Sequence, residues 1–555
     1  MTIRSRICYN ASLTEFSSQM DKKSPESSNK AAEYVEGSKK KVLIAPSHIC
    51  FPNSPSEKPY LIGSKCDLCG IVAFPQRKVC PACIKGETMK PIRLSGRGKI
   101  DSFSISYVAP PGIKAPYIQS WIKLDEGPQI FSIITGAEPS EKALHIGMDV
   151  EFTVGKLAEE EDGNELIGYL FVVLGVGMTK FGKFLDKSLK EMGQEAIWNA
   201  VADAGIDARE IQVAYFSNSL AGLITGQEAV RGQTVLRYSG LGGIPIINVE
   251  NACAGGATAF RGAWLEVASG NYDVALAIGV EKLFCDDTAQ SLRALSTNSE
   301  IELARMGFQF TAYYALQLRK YMEQFGVTRE QLALAAVKNS YNGSLNPYAQ
   351  HQRPLTSEEV LKSRPISDPL TLYMCSSMSD GAAAAILCTR EKAKKYTSKT
   401  LVQVASCILR AGMFRSPNDT TTPNTVTLAA TEAYEKAGIG PKEISLAEVH
   451  DAMAPVEILR YEELMFCERG EGVKMLEQGR TKITGDLPVD PSGGLSARGH
   501  PVGATGIAQV TEIVWQLRGT AGARQVANPK TGLTQNSGGR VEEDTAATSV
   551  IILKK

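Results

Sequence analysis

The chain has 555 residues, enough for about three domains with large hydrophobic cores. Lys and Arg together number 60, as do Asp and Glu, so the formal net charge is zero. This balance argues against nucleic acid or an anionic membrane surface as a partner.

Neither secretion nor membrane insertion is indicated. The sequence lacks an uninterrupted apolar run of about 20 residues, the length needed to span a bilayer. Its start carries basic residues without the apolar core of a signal peptide. The 12 cysteines are mostly scattered singly, unlike a secreted disulfide framework. We therefore expect a cytoplasmic protein that binds neither a membrane nor nucleic acid.

Residues 1–40 are rich in Ser, Lys, Glu and Asn and contain few large apolar side chains. Such a composition cannot bury enough surface to offset its ordering entropy. We predict a disordered tail, with an extended strap on the surface as the alternative.

Residues 41–92 contain two Cys-x-x-Cys pairs, Cys66/Cys69 and Cys80/Cys83. This spacing is typical of a zinc ribbon, in which two turns deliver four thiolates to one tetrahedral ion. A redox function would require a βαβ context, which the sequence does not indicate. Because four protein ligands leave no open position, we expect the zinc to be structural.

Residues 93–167 are predicted to form a small β-barrel of the OB type. Short strand-like runs cover Gly98–Val108, Tyr117–Leu124 and Gln129–Ile134, with turn signals between them. From residue 168 onward the pattern changes to alternating strands and helices.

This α/β region contains an internal duplication. The segment Ala204-Gly205-Ile206 recurs as Ala437-Gly438-Ile439, and both copies follow an Ala-rich helical pattern and precede a strand-like run. Each glycine is predicted to end its helix. Two such pairs in the same order indicate a duplicated α/β unit.

The second repeated pattern carries reactive side chains. Cys253-Ala-Gly-Gly-Ala-Thr258 is matched 247 residues later by His500-Pro-Val-Gly-Ala-Thr505. A thiol and an imidazole thus occupy equivalent places before equivalent helix starts. The pattern predicts a nucleophile and its base meeting across an internal two-fold axis.

The chain from about Phe171 to Lys555 resembles the thiolase superfamily, and in particular its sterol-carrier-protein and archaeal acetoacetyl-CoA thiolase branches. The motifs that carry the resemblance are Val172-Val-Leu-Gly-Val-Gly-Met-Thr-Lys-Phe-Gly, Val249-Glu-Asn-Ala-Cys-Ala-Gly-Gly, Ser379-Asp-Gly-Ala-Ala, His450-Asp-Ala-Met-Ala and Gly493-Gly-Leu-Ser-Ala-Arg-Gly-His-Pro-Val-Gly-Ala-Thr-Gly.

The resemblance implies an α/β protein with the duplicated, five-layered αβαβα thiolase fold. Its N-terminal half, with a loop domain, would cover residues 168–400, and its C-terminal half residues 401–555. It also implies a homodimer, acyl-CoA substrates and coenzyme A as co-substrate. Residues 41–167 resemble the small zinc-ribbon/OB proteins that accompany such thiolases, usually as separate subunits.

The resemblance assigns the catalytic roles residue by residue. Cys253 would be the nucleophile, favoured as thiolate by a helix N-terminus. His500 would accept its proton or stabilise the thioester oxygen, and His450 would help bind the enolate. The N–H groups of Cys253 and Gly538 would form a second oxyanion hole. Asp451 would be structural. A buried structural cysteine, and a histidine bonded to a backbone carbonyl, are the alternative interpretations.

One departure from the family pattern matters for the chemistry. Thiolases use a second cysteine as acid/base, and its two usual positions hold Asn536 and Ala452 here. Cys375 and Cys467 match neither motif and are interpreted as core residues. The sequence thus retains the nucleophile and lacks the usual second acid/base.

We therefore expect a thiolase that cleaves a β-ketoacyl-CoA through an acyl-Cys253 intermediate. The missing second cysteine and the fused N-terminal region suggest a bulky or branched substrate, for example an aromatic one such as benzoylsuccinyl-CoA. Two alternatives stay open: a retro-aldolase of the steroid side-chain lyase type, and a non-catalytic acyl-CoA-binding scaffold.

Overall fold

The computed structural model describes residues 60–74, 88–106, 117–135, 146–152, 171–413, 423–541 and 544–555, together with Cys80, Cys83 and four short strands before residue 51. The chain divides into two compact units, Met1–Tyr169 and Leu170–Lys555.

The first unit is built from short strands. In chain order they are β1 (Ser5–Ile7), β2 (Tyr34–Glu36), β3 (Lys39–Lys41), β4 (Ile49–Cys50), β5 (Tyr60–Cys66), β6 (Val72–Ala73), β7 (Met89–Arg93), β8 (Arg97–Ser106), β9 (Tyr117–Leu124), β10 (Gln129–Thr135) and β11 (Asp149–Phe152). Strands β4, β5 and β6 form a small sheet with β7 paired to β5, and β1, β10, β9, β8 and β11 close into a barrel. The predicted barrel is confirmed.

The barrel and the small sheet share an apolar core. Ile100, Ile122 and Leu124 project from β8 and β9 into it and are at most 2% exposed. Leu61 from β5 and Val150 from β11 belong to the same cluster. The alternation of inward and outward side chains along β9 is the period of two expected for a barrel strand.

Strand β1 lies within the segment predicted to be a disordered tail. It pairs antiparallel with β10 and parallel with β11, and so completes the barrel. Segments too polar to build a core can still add a strand, because pairing uses only backbone N–H and C=O groups. Apart from β1 to β3, residues 1–41 lie outside the described part of the chain.

The second unit alternates strands and helices. Its strands are β12 (Phe171–Met178), β13 (Val213–Ser217), β14 (Ile246–Val249), β15 (Val274–Glu281), β16 (Pro365–Ser367), β17 (Leu370–Thr371), β18 (Gly381–Thr389), β19 (Val402–Ala411), β20 (Leu446–Glu448), β21 (Thr531–Val541) and β22 (Asp544–Lys554). Its helices are α1 (Leu189–Ala204), α2 (Ala221–Thr225), α3 (Arg231–Tyr238), α4 (Gly255–Ala268), α5 (Thr288–Ser296), α6 (Ile301–Arg305), α7 (Phe310–Phe325), α8 (Arg329–Ser344), α9 (Ser357–Lys362), α10 (Arg390–Tyr396), α11 (Thr425–Ala437), α12 (Val456–Glu463), α13 (Gly472–Glu477), α14 (Gly494–Ala497) and α15 (Thr505–Arg518).

The main sheet reflects the duplication. Its nine strands run in the order β14-β13-β15-β18-β12-β19-β22-β21-β20. From the centre of the sheet outward, the first half runs β12-β18-β15-β13-β14 and the second half runs β19-β22-β21-β20. Each strand of the second half therefore has a counterpart in the first half, and only β14 has none in the second. A single parallel bridge between Ala447 and Val489 stands at that place. Helices α1 and α11 end at Gly205 and Gly438, which adopt φ of 70° and 66°, as the repeated Ala-Gly-Ile segments predict.

Alternation along the strands divides the core into layers. In β12, Val172 packs with the outer helix α1, whereas Val173 packs with the central helices α4 and α15. In β22, Val550 faces the outer helix α11 and Ile551 faces the same central pair. Helices and sheet therefore stack as αβαβα, which confirms the predicted fold class.

The two central helices approach closely at their N-terminal ends. A Cβ placed on Gly506 would lie 2.4 Å from the backbone nitrogen of Ala257, a distance that no side chain tolerates. Glycine therefore permits the backbones of α4 and α15 to meet where their preceding loops carry Cys253 and His500. The excursion from α5 to β17, inserted between β15 and β18, corresponds to the expected loop domain. Among the described helices, none has both the length and the apolar character needed to cross a bilayer.

Candidate active site

Cys253 lies in a strained turn that connects β14 to α4. Residues Ala252–Ala254 form one 3-10 turn directly before the helix. Ala252 adopts φ of 48°, a left-handed conformation that is costly for a residue with a Cβ. Strain of this kind is characteristic of functional sites.

His500 meets Cys253 as the repeat predicts. Its Nε2 lies 3.3 Å from Cys253 Sγ. Its Nδ1 lies 2.7 Å from Thr505 Oγ1, and that hydroxyl donates its own proton to Pro501 O at 2.9 Å. The Thr505 oxygen must therefore accept from Nδ1–H, which leaves the lone pair of Nε2 facing the thiol. His500 is thus set to act as a base toward Cys253.

Burial keeps both members of this pair neutral. It raises the pKa of the Cys253 thiol to about 12, with the nearby Glu281 carboxylate adding to the effect. It lowers the pKa of His500 to about 3, to which the positive charge of Arg498 contributes. The predicted influence of the helix N-terminus, which favours the thiolate, is opposed by this upward shift of the thiol pKa. Desolvation is the largest cause of the shift, and the Cys253 side chain packs against an apolar cluster that includes Leu283 and Val502.

His450 completes the group. It follows β20, is 2% exposed, and its backbone N–H donates to Gln535 Oε1 at 3.0 Å. Its ring stands edge-on to that of His500, with centroids 5.3 Å apart. One ligating atom from each of Cys253, His450 and His500 lies within 4.8 Å of the other two. Burial lowers the pKa of His450 well below its usual value, so the ring is neutral.

The glycines of β21 lie against the nucleophile turn. A Cβ on Gly538 would fall 2.1 Å from Asn251 O and 2.9 Å from Cys253 N. Backbone hydrogen bonds from Cys253 itself and from Gly539 lower the pKa of the Cys253 thiol and so partly offset the effect of burial. Gly538 therefore lies beside the backbone nitrogen of Cys253, and its part in a second oxyanion hole stays a prediction. Gly539 has φ of 64°, which takes it out of regular strand geometry.

Two residues that support the site were not assigned a role from the sequence. Ser379 Oγ accepts the backbone N–H of His500 at 2.9 Å and donates to Gln350. Glu281, fully buried at the end of β15, accepts from the N–H of Gly503 at 2.9 Å and from that of Leu220 at 3.1 Å. Ser379 belongs to a motif that the sequence displays, whereas nothing local singles out Glu281.

The remaining predicted residues are structural. Asp451 accepts from Leu495 N at 2.7 Å and from Asn339 Nδ2 at 2.8 Å, and so holds the loop behind His450. Cys375 and Cys467 pack against the second-half core.

Aromatic side chains of the loop domain gather beside this group. Phe308 and Phe310 lie 5.3 Å apart, and Tyr313 and Tyr314 lie 5.2 Å apart, between ring centroids. The guanidinium of Arg540 sits 3.7 Å above the ring of Tyr313. Arg540 follows Gly539, and a Cβ on Gly539 would lie 3.5 Å from Ala252 Cβ, so the aromatic cluster lies near the nucleophile turn.

The four cysteines of the first unit converge on one point. Neighbouring sulfurs lie 3.2 to 3.5 Å apart, and all four lie within 4.8 Å of one another. A tetrahedral ion with bonds of about 2.3 Å requires sulfur separations of roughly 3.8 Å, so the donor set fits zinc. Gly70, with φ of 73°, donates its N–H to Cys66 O at 2.9 Å and so closes the turn that carries Cys66 and Cys69.

Three family models match separate parts of the chain and indicate the class of enzyme to which it belongs. Residues 171–391 match the family described as "Thiolase, N-terminal domain", and residues 411–555 match "Thiolase C-terminal domain-like". Residues 92–155 match "ChsH2, C-terminal OB-fold domain". Together with the fold and the Cys253–His500 pair, these matches define an acyl-CoA C-acyltransferase of the thiolase type.

Individual relatives agree. The chain is 44% identical to an acetyl-CoA acetyltransferase of Methanothermobacter thermautotrophicus, over 66% of this chain and 96% of that protein. It is 38% identical to the benzoylsuccinyl-CoA thiolase subunit BbsB of Thauera aromatica, over 66% and 94%. A solved Ltp2-ChsH2(DUF35) aldolase superposes with a TM-score of 0.58 at 24% identity, covering 70% of this chain and 98% of that chain, which concerns the fold alone. The chain belongs to the thiolase family.

Proposed function

We propose that this protein cleaves a bulky β-ketoacyl-CoA through an acyl-Cys253 intermediate. The observation that carries the proposal is the 3.3 Å approach of His500 Nε2 to Cys253 Sγ, with the Nε2 lone pair facing the sulfur. In this arrangement the thiol need not be ionised at rest. Its proton moves to His500 as the sulfur attacks the thioester or ketone carbon, and the thiolate forms only at that moment.

The protons balance without a second cysteine. The Cys253 thiol gives its proton to His500 as sulfur attacks the β-carbonyl. The carbon–carbon bond then breaks, and the departing enolate takes that proton at its α-carbon. In the second half, His500 accepts the thiol proton of coenzyme A, whose sulfur attacks the acyl group, and returns a proton to the departing Cys253 sulfur. Both halves need one group that accepts a proton and returns it, and His500 Nε2 lies 3.3 Å from the Cys253 sulfur.

An aromatic or branched acyl group fits the surroundings of the nucleophile. Phe308, Phe310, Tyr313 and Tyr314 form an apolar wall, and aromatic rings prefer edge-on or offset contacts with other rings. The relative that acts on benzoylsuccinyl-CoA supports the same choice. The relatives named acetyl-CoA acetyltransferase support a small acyl group instead. We propose an aromatic acyl group because the four aromatic side chains would pack against it.

The test is to expose the protein to a panel of 3-oxoacyl-CoA esters with short, branched and aromatic acyl groups. Mass analysis of the Cys253 peptide is expected to give an adduct whose mass names the acyl group. Adducts confined to the short-chain esters would contradict the aromatic proposal and leave the thiolase proposal intact. Carbon–carbon cleavage without any adduct would favour the retro-aldolase alternative, and binding without either would favour a scaffold.

We propose that cleavage, not condensation, is the working direction. Condensation requires a base to remove a proton from the α-carbon of an acyl-CoA, a weak carbon acid. With Asn536 and Ala452 at the usual cysteine positions, only poorly basic buried imidazoles remain. In deuterated water, the α-protons of acetyl-CoA or succinyl-CoA are expected to exchange much more slowly than thiolysis proceeds, as followed by mass analysis. Exchange at the rate of thiolysis would contradict the assignment of direction.

We propose that the four cysteines hold one structural zinc ion. Because metal-binding energy at such a site is folding energy, Cys66→Ser or Cys80→Ser is expected to abolish zinc content and the thermal transition of the first unit. Metal analysis and calorimetry measure both, with Cys467→Ser as the control. A metal-free protein that kept its full melting profile would contradict a structural role.

We further propose a cytoplasmic homodimer formed through the thiolase unit. The described cysteines are free thiols, and a reducing cytoplasm keeps thiols reduced. Among the described strands, β14 pairs only with β13 and leaves one edge of the main sheet open to a second copy. Sedimentation at micromolar concentration is expected to give twice the chain mass, and a monomer there would contradict the proposal.

A further inference from the structure

Asn536 is a buried residue of β21 that contacts His450. It lies in β21, is 1% exposed, and faces the same side of the strand as Gly538, which lies against the nucleophile turn. Its amide Nδ2 is 3.2 Å from His450 Nδ1. Asn536 thus stands where relatives carry an acid/base cysteine, and it contacts the second histidine of the site directly.

This contact determines where His450 carries its proton. An amide N–H can only donate, so His450 Nδ1 must accept, and a neutral imidazole then has its proton on Nε2. The backbone of His450 is held independently by Gln535 Oε1 at 3.0 Å, so the amide is free to act on the ring alone.

The other side of the amide is left unsatisfied. Asn536 Oδ1 is buried and accepts no hydrogen bond from the described residues. Buried polar atoms are nearly always paired, and an unpaired one is costly. An apolar residue of the same size would avoid this cost but would offer no hydrogen-bond donor. We therefore take the amide N–H, which contacts His450, to be the part of Asn536 that the site uses.

We propose that Asn536 is a positioning residue that fixes the proton of His450 on Nε2, so that His450 presents a hydrogen-bond donor, and not a base, to the thioester oxygen of the substrate. The inference rests on the proposed thiolase function. On this view, His450 exchanges no proton during turnover. The second cysteine is replaced by two residues: His500 carries the proton, and the Asn536–His450 pair holds the enolate.

The near-isosteric change Asn536→Asp reverses the hydrogen bond. A carboxylate can only accept, so it draws the His450 proton to Nδ1 and turns an Nε2 lone pair toward the substrate oxygen. At pH 8, kcat for thiolysis is expected to fall by about 10²–10³, the loss typical of one oxyanion-hole donor, with little change in KM for coenzyme A. Asn536→Ala removes the donor without imposing a tautomer and is expected to lie between the two.

The pH profile separates positioning from simple damage. The new carboxylate favours the doubly protonated ring, so lowering the pH restores the Nε2–H and the deficit of Asn536→Asp is expected to shrink. The wild-type protein should show no such rise in relative activity. An equal kcat at pH 8, or a loss that does not change with pH, would overturn the inference.

Nitrogen NMR of protein labelled with ¹⁵N-histidine tests the tautomer without any substrate. Five histidines give few signals, and His450→Ala identifies the relevant one. We expect the Nε2–H form in the wild type and the Nδ1–H form in Asn536→Asp. An Nδ1–H wild type would overturn the inference, whereas the expected tautomer in a protein that cleaves none of the 3-oxoacyl-CoA esters would overturn the proposed function alone.

Discussion

Cys253→Ala is expected to reduce thiolytic turnover to background and to abolish the acyl adduct. Loss of a covalent nucleophile removes the whole two-step route, and such losses amount to about 10⁴-fold or more. The structure gives a further reason: within the described residues, no other cysteine sulfur pairs with a histidine nitrogen. Steady-state thiolysis and intact-protein mass analysis measure the two effects.

Cys253→Ser is expected to leave only a trace of activity. An alcohol is far less acidic than a thiol, so His500, with its low basicity, cannot share its proton effectively. Cys467→Ala provides the control, because it removes a half-buried thiol of raised pKa that lies outside the catalytic group. Normal turnover by Cys253→Ala would shift the assignment to the retro-aldolase.

The parts of the fold that local chemistry dictates could be predicted. A glycine after an Ala-rich helix adopts the left-handed conformation wherever it occurs, so Gly205 and Gly438 marked both helix ends. The span of β9 follows from its alternation and flanking turns. The two Cys-x-x-Cys turns could likewise be predicted, because their conformation depends only on residues within each turn.

The register of the two central helices could not be predicted. The sequence suggests equivalent helix starts, but α4 begins two residues after Cys253 and α15 five residues after His500. Pro501 lacks an amide hydrogen, and Gly499 has φ of 106°, so the second copy makes an extra turn before its helix. That extra turn places Thr505 at 2.7 Å from His500 Nδ1.

The protonation state of the site was also beyond the sequence, because it depends on burial. A helix N-terminus favours a thiolate by a modest amount, and only the folded arrangement reveals the apolar side chains and the Glu281 carboxylate that oppose it. In the same way, no local pattern announces that Asn536 will face His450, since 86 residues separate them.

His500→Ala is expected to slow acylation of Cys253 by about 10²–10⁴, the contribution typical of a general base.

The pH dependence of the acylation rate is a more specific sign of a lost base than the size of the rate loss. In the wild type, the thiol has a pKa of about 12 and the imidazole one of about 3, so neither titrates between pH 5 and 10 and the acylation rate should be nearly flat. Without the imidazole, reaction requires the free thiolate, whose fraction rises tenfold with each pH unit below the thiol pKa. The rate of His500→Ala is therefore expected to climb steeply across the same range and to approach the wild-type rate at its upper end. Single-turnover acylation monitored from pH 6 to 10 measures both profiles, with His351→Ala as a histidine control. A flat profile for His500→Ala would mean that another base serves Cys253.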